Sequence, residues 1–292
     1  MKYRDIGPYR ATAISYGCMA LAIEGRPGRD ASISVLHRVL DAGITHLDVA
    51  WSYYLAGGEE QYGERLVADA LRTWDGDLAP VSVATKVGHT RVLQDGVPAW
   101  GLDGAPDRLK LHAHESARAL GVDAIDLLYL HRPDPAYPYE DELAAMADLV
   151  DAGLARTIGI SNVNPQQIRT AHRILGDRLV AVQNEFSPTF RTSRPEIEVT
   201  GELGLAFIAW SPLGAPYRRT VDPALFVPFD RVAATHGVST SQVVLAWELA
   251  QGPHVIPIPA SHRPETILDS LQAADLQLSA DEIAALDAEP VR

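Results

Sequence analysis

Four side chains stand where apolar runs end, and together they could move protons. Asp48 lies between Leu47 and Val49 inside the run THLDVA (45–50), and Tyr53 follows five residues later in HLDVAWSYY. Lys86 stands at the end of VSVATKV (81–87), and His131 closes AIDLLYLH (124–131). A carboxylate inside an apolar run needs a partner, because an unpaired buried charge is strongly disfavoured. A solvated turn accounts for the tyrosines but not for Asp48. An acid, a phenol, an amine and an imidazole brought to one place would form a constellation for general acid–base chemistry. The amine also leaves a Schiff-base reaction open, with Lys86 as nucleophile, as in an aldolase. An adjacent Asp48 would favour the charged ammonium, which is the wrong form for that role.

The elements that must bring these residues together are legible as an alternation. Beside the three runs above, strand-like segments occur at TAISYG (12–17), ARTIGISN (155–162), LVAVQNE (179–185), LAFIAWSPL (205–213) and HVIPIPA (254–260). Between the eight lie patterns with apolar residues at three- and four-residue spacing, such as SVLHRVLDAG, GEEQYGERLVADAL, DELAAMADLVDAG and PQQIRTAHRIL. Asn164-Pro165 is a helix start, and Gly43, Gly121, Gly153 and Gly176 stand where helices stop. Near-continuous apolar strands separated by helices indicate a parallel sheet with its outer face covered. Eight such units in 292 residues predict an α/β fold, a (β/α)8 TIM barrel in one domain over 1–292. A doubly wound open sheet would want a glycine-rich turn after an early strand, and no GxGxxG follows any of the eight. Two segments exceed the minimal plan, 89–105 and 214–235, and are expected as long loops on the C-terminal face, where barrel ligands bind.

Apolar residues make up 47% and charged residues 22%, the balance of a globular protein. A formal charge of −13 predicts neither a nucleic-acid nor an anionic-membrane partner. The single cysteine, Cys18, allows no internal disulfide and fits a reducing compartment. MKYRDIGPYR carries charges where a signal peptide has its apolar region, and no stretch approaches the ~20 apolar residues of a membrane span. The expected location is the cytoplasm. His112, His114 and His172 lie on helical patterns and read as surface or packing residues. His112, His114 and Glu115 do not read as a metal cluster, since i and i+2 face different sides of a helix.

The same strand ends resemble the aldo-keto reductase family nearly end to end. DVAWSYY is similar to that family's Asp-Thr-Ala-x-x-Tyr, ATKVG to its Thr-Lys-x-Gly, and DLLYLHRPD to its Asp-Leu-x-x-x-His; GISN, AVQNE, WSPLG and VIPIPA follow in family order. The resemblance implies an N-terminal β-hairpin on the barrel and a catalytic set of Asp48, Tyr53, Lys86 and His131. It implies hydride transfer between a nicotinamide and a small carbonyl or alcohol. Tyr53 would supply the proton, Lys86 would lower the phenol's ordinary pKa of about 10, Asp48 would hold the ammonium, and His131 would orient the substrate oxygen.

The family pattern implies a cofactor site as well. Ser161, Asn162 and Gln183 would meet the carboxamide, and Trp210 would stack on the nicotinamide. Ser211, Leu213 and Gly214 would line the pyrophosphate, and Gly17, Cys18 and Met19 would give backbone contacts near the ribose, beside Asp48. The adenosine end falls on PASHRPETILDS (259–270), with Ser261, Arg263, Asp269 and Ser270. This stretch departs from the family's usual basic residue followed by Arg or Gln, and then Glu-Asn. Arg263 or His262 is expected to meet a 2′-phosphate, which favours NADP(H) and leaves NAD(H) open. Trp51, Trp100, Tyr217 and Phe226 are expected to line the substrate pocket. A cofactor-binding sensor with little turnover is the remaining alternative.

Overall fold

A computed structural model describes residues 2–214 and 223–288 of the chain. Tyr217 lies outside the described residues. Two short antiparallel strands open the fold, β1 (Tyr3–Ile6) and β2 (Tyr9–Thr12). The barrel strands follow as β3 (Tyr16–Gly17), β4 (His46–Asp48) and β5 (Ser82–Val87). A second hairpin, β6 (His89–Gln94) and β7 (Val97–Leu102), precedes β8 (Ile125–Leu130), β9 (Ala155–Ser161), β10 (Leu179–Glu185), β11 (Ala206–Trp210) and β12 (Val255–Pro257). β3, β4, β5 and β8 to β12 form eight parallel strands in sequence order. The ring is closed by backbone: the Ser15 N–H donates to the Pro257 carbonyl at 3.1 Å, and the Gly17 N–H to that of Pro259 at 3.2 Å. This is the (β/α)8 barrel expected from the alternation.

Helices α1 (Arg29–Asp41), α2 (Tyr62–Thr73), α3 (Pro106–Leu120), α4 (Tyr139–Asp151), α5 (Pro165–Leu175) and α6 (Arg194–Leu203) cover the outside between successive strands. After β11 come α7 (Val227–His236) and α8 (Thr240–Ala250), then α9 (Pro264–Gln272) and α10 (Ala280–Ala288) after β12. α5 begins as its sequence predicts. The Asn164 side chain accepts from the Gln167 N–H at 2.9 Å, and the Gln167 side chain accepts from the Asn164 N–H at 3.0 Å, with Pro165 in the first turn. α2 begins later than its apolar spacing suggests. Gln61, just before it, has φ of 54°, a left-handed conformation that a helix cannot continue through.

The barrel interior holds Ala84, Leu127, Tyr129, Ala181, Ile208 and Ile256, and the N-terminal hairpin adds Ile6 and Ala11 to this cluster. The large Tyr129 ring fits because position 159 is glycine; a Cβ there would fall into the ring. Register then sets the rim. Asp48 pairs with Gly17 on one side and Ala84 on the other, Lys86 with Tyr129, Gln183 with Ser161, and Glu185 with Trp210. The chemistry-bearing residues therefore end their strands at one face.

Three expectations change. Of the segment 214–235, expected as a loop, residues 227–235 belong to α7 and 215–222 lie outside the described residues. The segment 89–105 is mainly the hairpin β6–β7 and not an open loop. Asp95 and Gly96 turn it with φ of 51° and 78°, the backbone of a type I′ turn. The first barrel strand is only Tyr16–Gly17, because Thr12 pairs with Tyr3 in the N-terminal hairpin. Among the described residues no helix is long and apolar enough to cross a membrane.

Candidate active site

Lys86 is fully buried at the end of β5, and its ammonium is saturated. Nζ donates to Asp48 Oδ1, to the Val49 carbonyl at 2.9 Å, and to the Tyr53 hydroxyl at 3.3 Å. An ammonium has three N–H donors, and each has an acceptor. Asp48 is equally enclosed: its Oδ2 accepts from Gln183 Nε2 at 2.8 Å, across 135 positions of sequence. A buried ion pair is tolerable when the remaining polar valences are met in this way. The chain bends to make the site, because the Trp51 N–H donates to the Lys86 carbonyl at 3.0 Å and the Tyr53 N–H to that of Ala50 at 3.0 Å. That turn carries Tyr53 from the strand end back over the ammonium.

His131 closes the other side, its ring centroid 6.0 Å from that of Tyr53 in an edge-on arrangement. Burial, then the charges of His89, Lys86 and Arg132, hold its pKa well below the ordinary 6.5, so the ring is neutral. Its backbone carbonyl accepts from Asn162 Nδ2 at 3.0 Å, and the same amide donates to Ser161 Oγ at 2.9 Å. Ser161 Oγ donates in turn to the Gln183 carbonyl at 2.7 Å. Asn162 sits at φ 59°, a conformation Asn tolerates better than most residues. These bonds stitch the ends of β8, β9 and β10 into one rim.

The other expected site residues distribute along that rim. The Cys18 N–H donates to the Asp48 carbonyl at 2.8 Å, while burial, reinforced by Asp48, raises the thiol's pKa and leaves it unreactive. Gly17 lies at the barrel seam, and Met19 begins the short turn that follows. Trp210 is half-buried at the end of β11, and its indole Nε1 has no hydrogen-bond partner among the described residues. Ser211 has φ of 50°, and its carbonyl accepts from the Gly214 N–H at 2.9 Å, with Leu213 half-buried between. At the far end Ser261 Oγ accepts from the Arg263 N–H at 3.1 Å and from Thr266 Oγ1 at 2.6 Å. Arg263 and His262 are exposed at the start of α9. Two residues there are engaged within the protein: Asp269 accepts from Ser239 Oγ and Gln242 Nε2, both at 2.6 Å, and Ser270 is buried with its hydroxyl on the Thr266 carbonyl.

Sequence reasoning missed two participants, Glu64 and His89, and one bond: Gln183, expected at a carboxamide, also donates to Asp48. Glu64, from α2, accepts from Thr85 Oγ1 beside Lys86, and burial pushes its pKa up to about 7. His89 lies 4.7 Å from His131, ring to ring. Trp51 is no pocket wall; it is buried, stacked on His112 at 3.9 Å, and donates its indole N–H to Glu115 at 2.9 Å.

Comparison with known proteins assigns this architecture. Residues 13–289 match the model of the aldo/keto reductase family. The chain belongs to this family. It is 32% identical to an uncharacterized oxidoreductase of Schizosaccharomyces pombe over 97% of this chain and 88% of that one. It is 33% identical to a 6-dehydroglucose reductase of Novosphingobium aromaticivorans over 89% of this chain and 85% of that one. Among solved structures, a thermostable aldo-keto reductase in complex with the inhibitor epalrestat superposes with a TM-score of 0.82 at 26% identity, covering 99% of both chains. This aldo/keto reductase is therefore an oxidoreductase acting on carbonyl or alcohol groups of small molecules.

Proposed function

We propose that the enzyme interconverts aldehydes or ketones and alcohols with NADP(H), and that Tyr53 is its proton donor. The observation that carries this is the saturated Lys86 ammonium, whose third donor rests on the Tyr53 hydroxyl at 3.3 Å. The reduced nicotinamide, when bound, supplies the hydride that adds to the carbonyl carbon. As the C=O π-bond breaks, its electron pair moves to oxygen, and the Tyr53 O–H proton passes there. The phenolate left behind is stabilised by the adjacent ammonium, which Asp48 keeps charged and fixed. His131, neutral because it is buried, offers a ring N–H to the same oxygen without bringing a charge. The reverse sequence oxidises an alcohol.

The residues present suit a nicotinamide dinucleotide phosphate. Trp210 offers a flat, half-buried ring at the rim. Exposed Arg263 and His262 at the N-terminus of α9 suit a phosphate, and a guanidinium can grip one with two bonds. The Schiff-base reading lacks support, since an amine with all three protons engaged and a carboxylate beside it is not a free nucleophile.

The test is a panel of aldehydes, ketones and alcohols read by nicotinamide absorbance with both cofactors, run on the parent, Tyr53→Phe and Tyr54→Phe. Tyr53→Phe is expected to bind NADPH and lose at least ~100-fold in kcat, the low end for general acid catalysis. Near-parental kcat in Tyr53→Phe, with loss in Tyr54→Phe, would reassign the donor. Trapping of a lysine adduct by borohydride would replace the hydride reading with an aldolase.

A further inference from the structure

The barrel strand β5 runs directly into β6, so His89 stands three residues after Lys86. Its ring completes a circuit of four with Tyr53, His131 and Trp100. Centroids lie 6.0 Å apart for Tyr53 and His131, 4.7 Å for His131 and His89, 5.0 Å for His89 and Trp100, and 6.5 Å for Trp100 and Tyr53. Two imidazoles and one indole thus neighbour the Tyr53 ring or one another in sequence around the circuit. His89 is only 9% exposed, and its Nδ1 is buried without a hydrogen-bond partner among the described residues; the same holds for His131 Nδ1. Buried polar atoms are seldom left unmet.

The hairpin fixes this imidazole in place. Arg91 and Trp100 are register partners on β6 and β7, with the guanidinium 4.1 Å from the Trp100 ring centroid. Arg91 is ion-paired with Glu24, and its N–H donates to the Tyr54 hydroxyl at 3.3 Å. Trp100 in turn stacks nearly parallel on His89, at 16°. The hairpin is thus tied to the segment that carries the proposed proton donor, and the His89 ring is held before any substrate arrives.

Building on the proposed carbonyl reduction, we infer that His89 is a substrate-positioning residue that binds a hydroxyl on the carbon next to the reacting carbonyl, so that the substrates are α-hydroxy aldehydes and ketones. Two imidazoles 4.7 Å apart can serve two oxygens on adjacent carbons, the reacting one at His131 and Tyr53, and its neighbour at His89. The charge state fits a hydroxyl. Burial, then the charges of Arg132, Arg91 and Lys86, push the His89 pKa down to about 4, so at neutral pH the ring has one donor and one acceptor nitrogen. A hydroxyl offers the same pair of functions reversed, whereas a carboxylate would call for a cation.

The test compares 2-hydroxypropanal with propanal, a pair differing by one hydroxyl, using NADPH and the full-length enzyme. The parent is expected to favour the hydroxyaldehyde by ~10-fold or more in kcat/KM, the worth of about one well-placed hydrogen bond. His89→Phe keeps a ring against Trp100 and should bring that ratio close to one, chiefly by raising KM for the hydroxyaldehyde. His89→Gln restores a donor and an acceptor and should recover part of the ratio. Equal losses on both aldehydes, or a parent that does not discriminate, would overturn the inference while leaving the carbonyl reduction standing. No turnover of any carbonyl by the parent would instead remove the reading on which it rests.

Discussion

Replacing Lys86 with methionine tests the pair at the centre of the site, because the side chain's volume is roughly kept while its three donors are removed. Asp48, 1% exposed, would keep only the Gln183 amide on Oδ2, and the Val49 carbonyl would lose its Nζ donor. Breaking one side of a buried ion pair costs about 3–5 kcal/mol, and an unmet carbonyl adds about 1. The surviving Gln183 bond argues for a total near the lower end, ~4 kcal/mol, a large share of a typical folding free energy. At about 2–4 °C per kcal/mol for chains somewhat shorter than this one, Tm should fall by roughly 10 °C. The double variant Asp48→Asn/Lys86→Met carries no buried charge at this spot and should regain most of that loss, a positive coupling read from the four-way cycle of melts. Neither variant should turn over carbonyls, because the ammonium that would stabilise the Tyr53 phenolate is gone. A Lys86→Met protein that melts with the parent would show that the pair is not desolvated. One that retains kcat within tenfold would show that the ammonium does not assist the phenol.

Arg263→Ala should raise KM for NADPH far more than for NADH; an equal effect on both would place recognition of the 2′-phosphate elsewhere, with His262→Ala as the companion. Trp210→Tyr should bind NADPH with modest loss and Trp210→Ala with a loss of about 1–3 kcal/mol in fluorescence titrations, by analogy with stacking on nucleobases; a Trp210→Ala protein that binds like the parent but melts earlier would make the ring packing alone. Glu64, with its pKa raised to about 7 by burial, contributes stability that is fully present below its ordinary 4.5 and is lost as pH rises through about 7. Glu64→Gln should therefore melt higher than the parent at pH 8, by an amount on the order of 3 kcal/mol, and close to it at pH 5; an increment that does not change with pH would mean that Glu64 is ionised throughout.

The eight barrel strands were readable because each is apolar on both faces, a pattern that burial between interior and helices imposes. Asp48 and Lys86 were readable as a charged residue inside such a run. The hairpin β6–β7 was missed although Asp95-Gly96 is a strong type I′ signal, because Pro98 and the exposed Leu93 and Val97 blur its alternation. The bond from Gln183 to Asp48 could not be read at all. It spans 135 positions, and only barrel closure brings the two together. Trp51 shows the opposite failure. Its type and its place after a strand suggested a pocket wall, but its partner His112 sits on a helix that local sequence does not link to it.

The closure between Ser15 and Pro257 and between Gly17 and Pro259 also bears on how the chain is made. Until β12 has been synthesised, β3 has an open edge, since β12 is its second neighbour in the closed ring. An unpaired edge on a nascent parallel sheet is a template for wrong pairing, and sheets built from such distant contacts form slowly. The seam is also where the Gly17 backbone and the Tyr16 hydroxyl meet the stretch 259–261, so the expected ribose and adenosine contacts come together only once that stretch has been made. Biogenesis, and not only catalysis, then sets how much disruption this short stretch of backbone can tolerate.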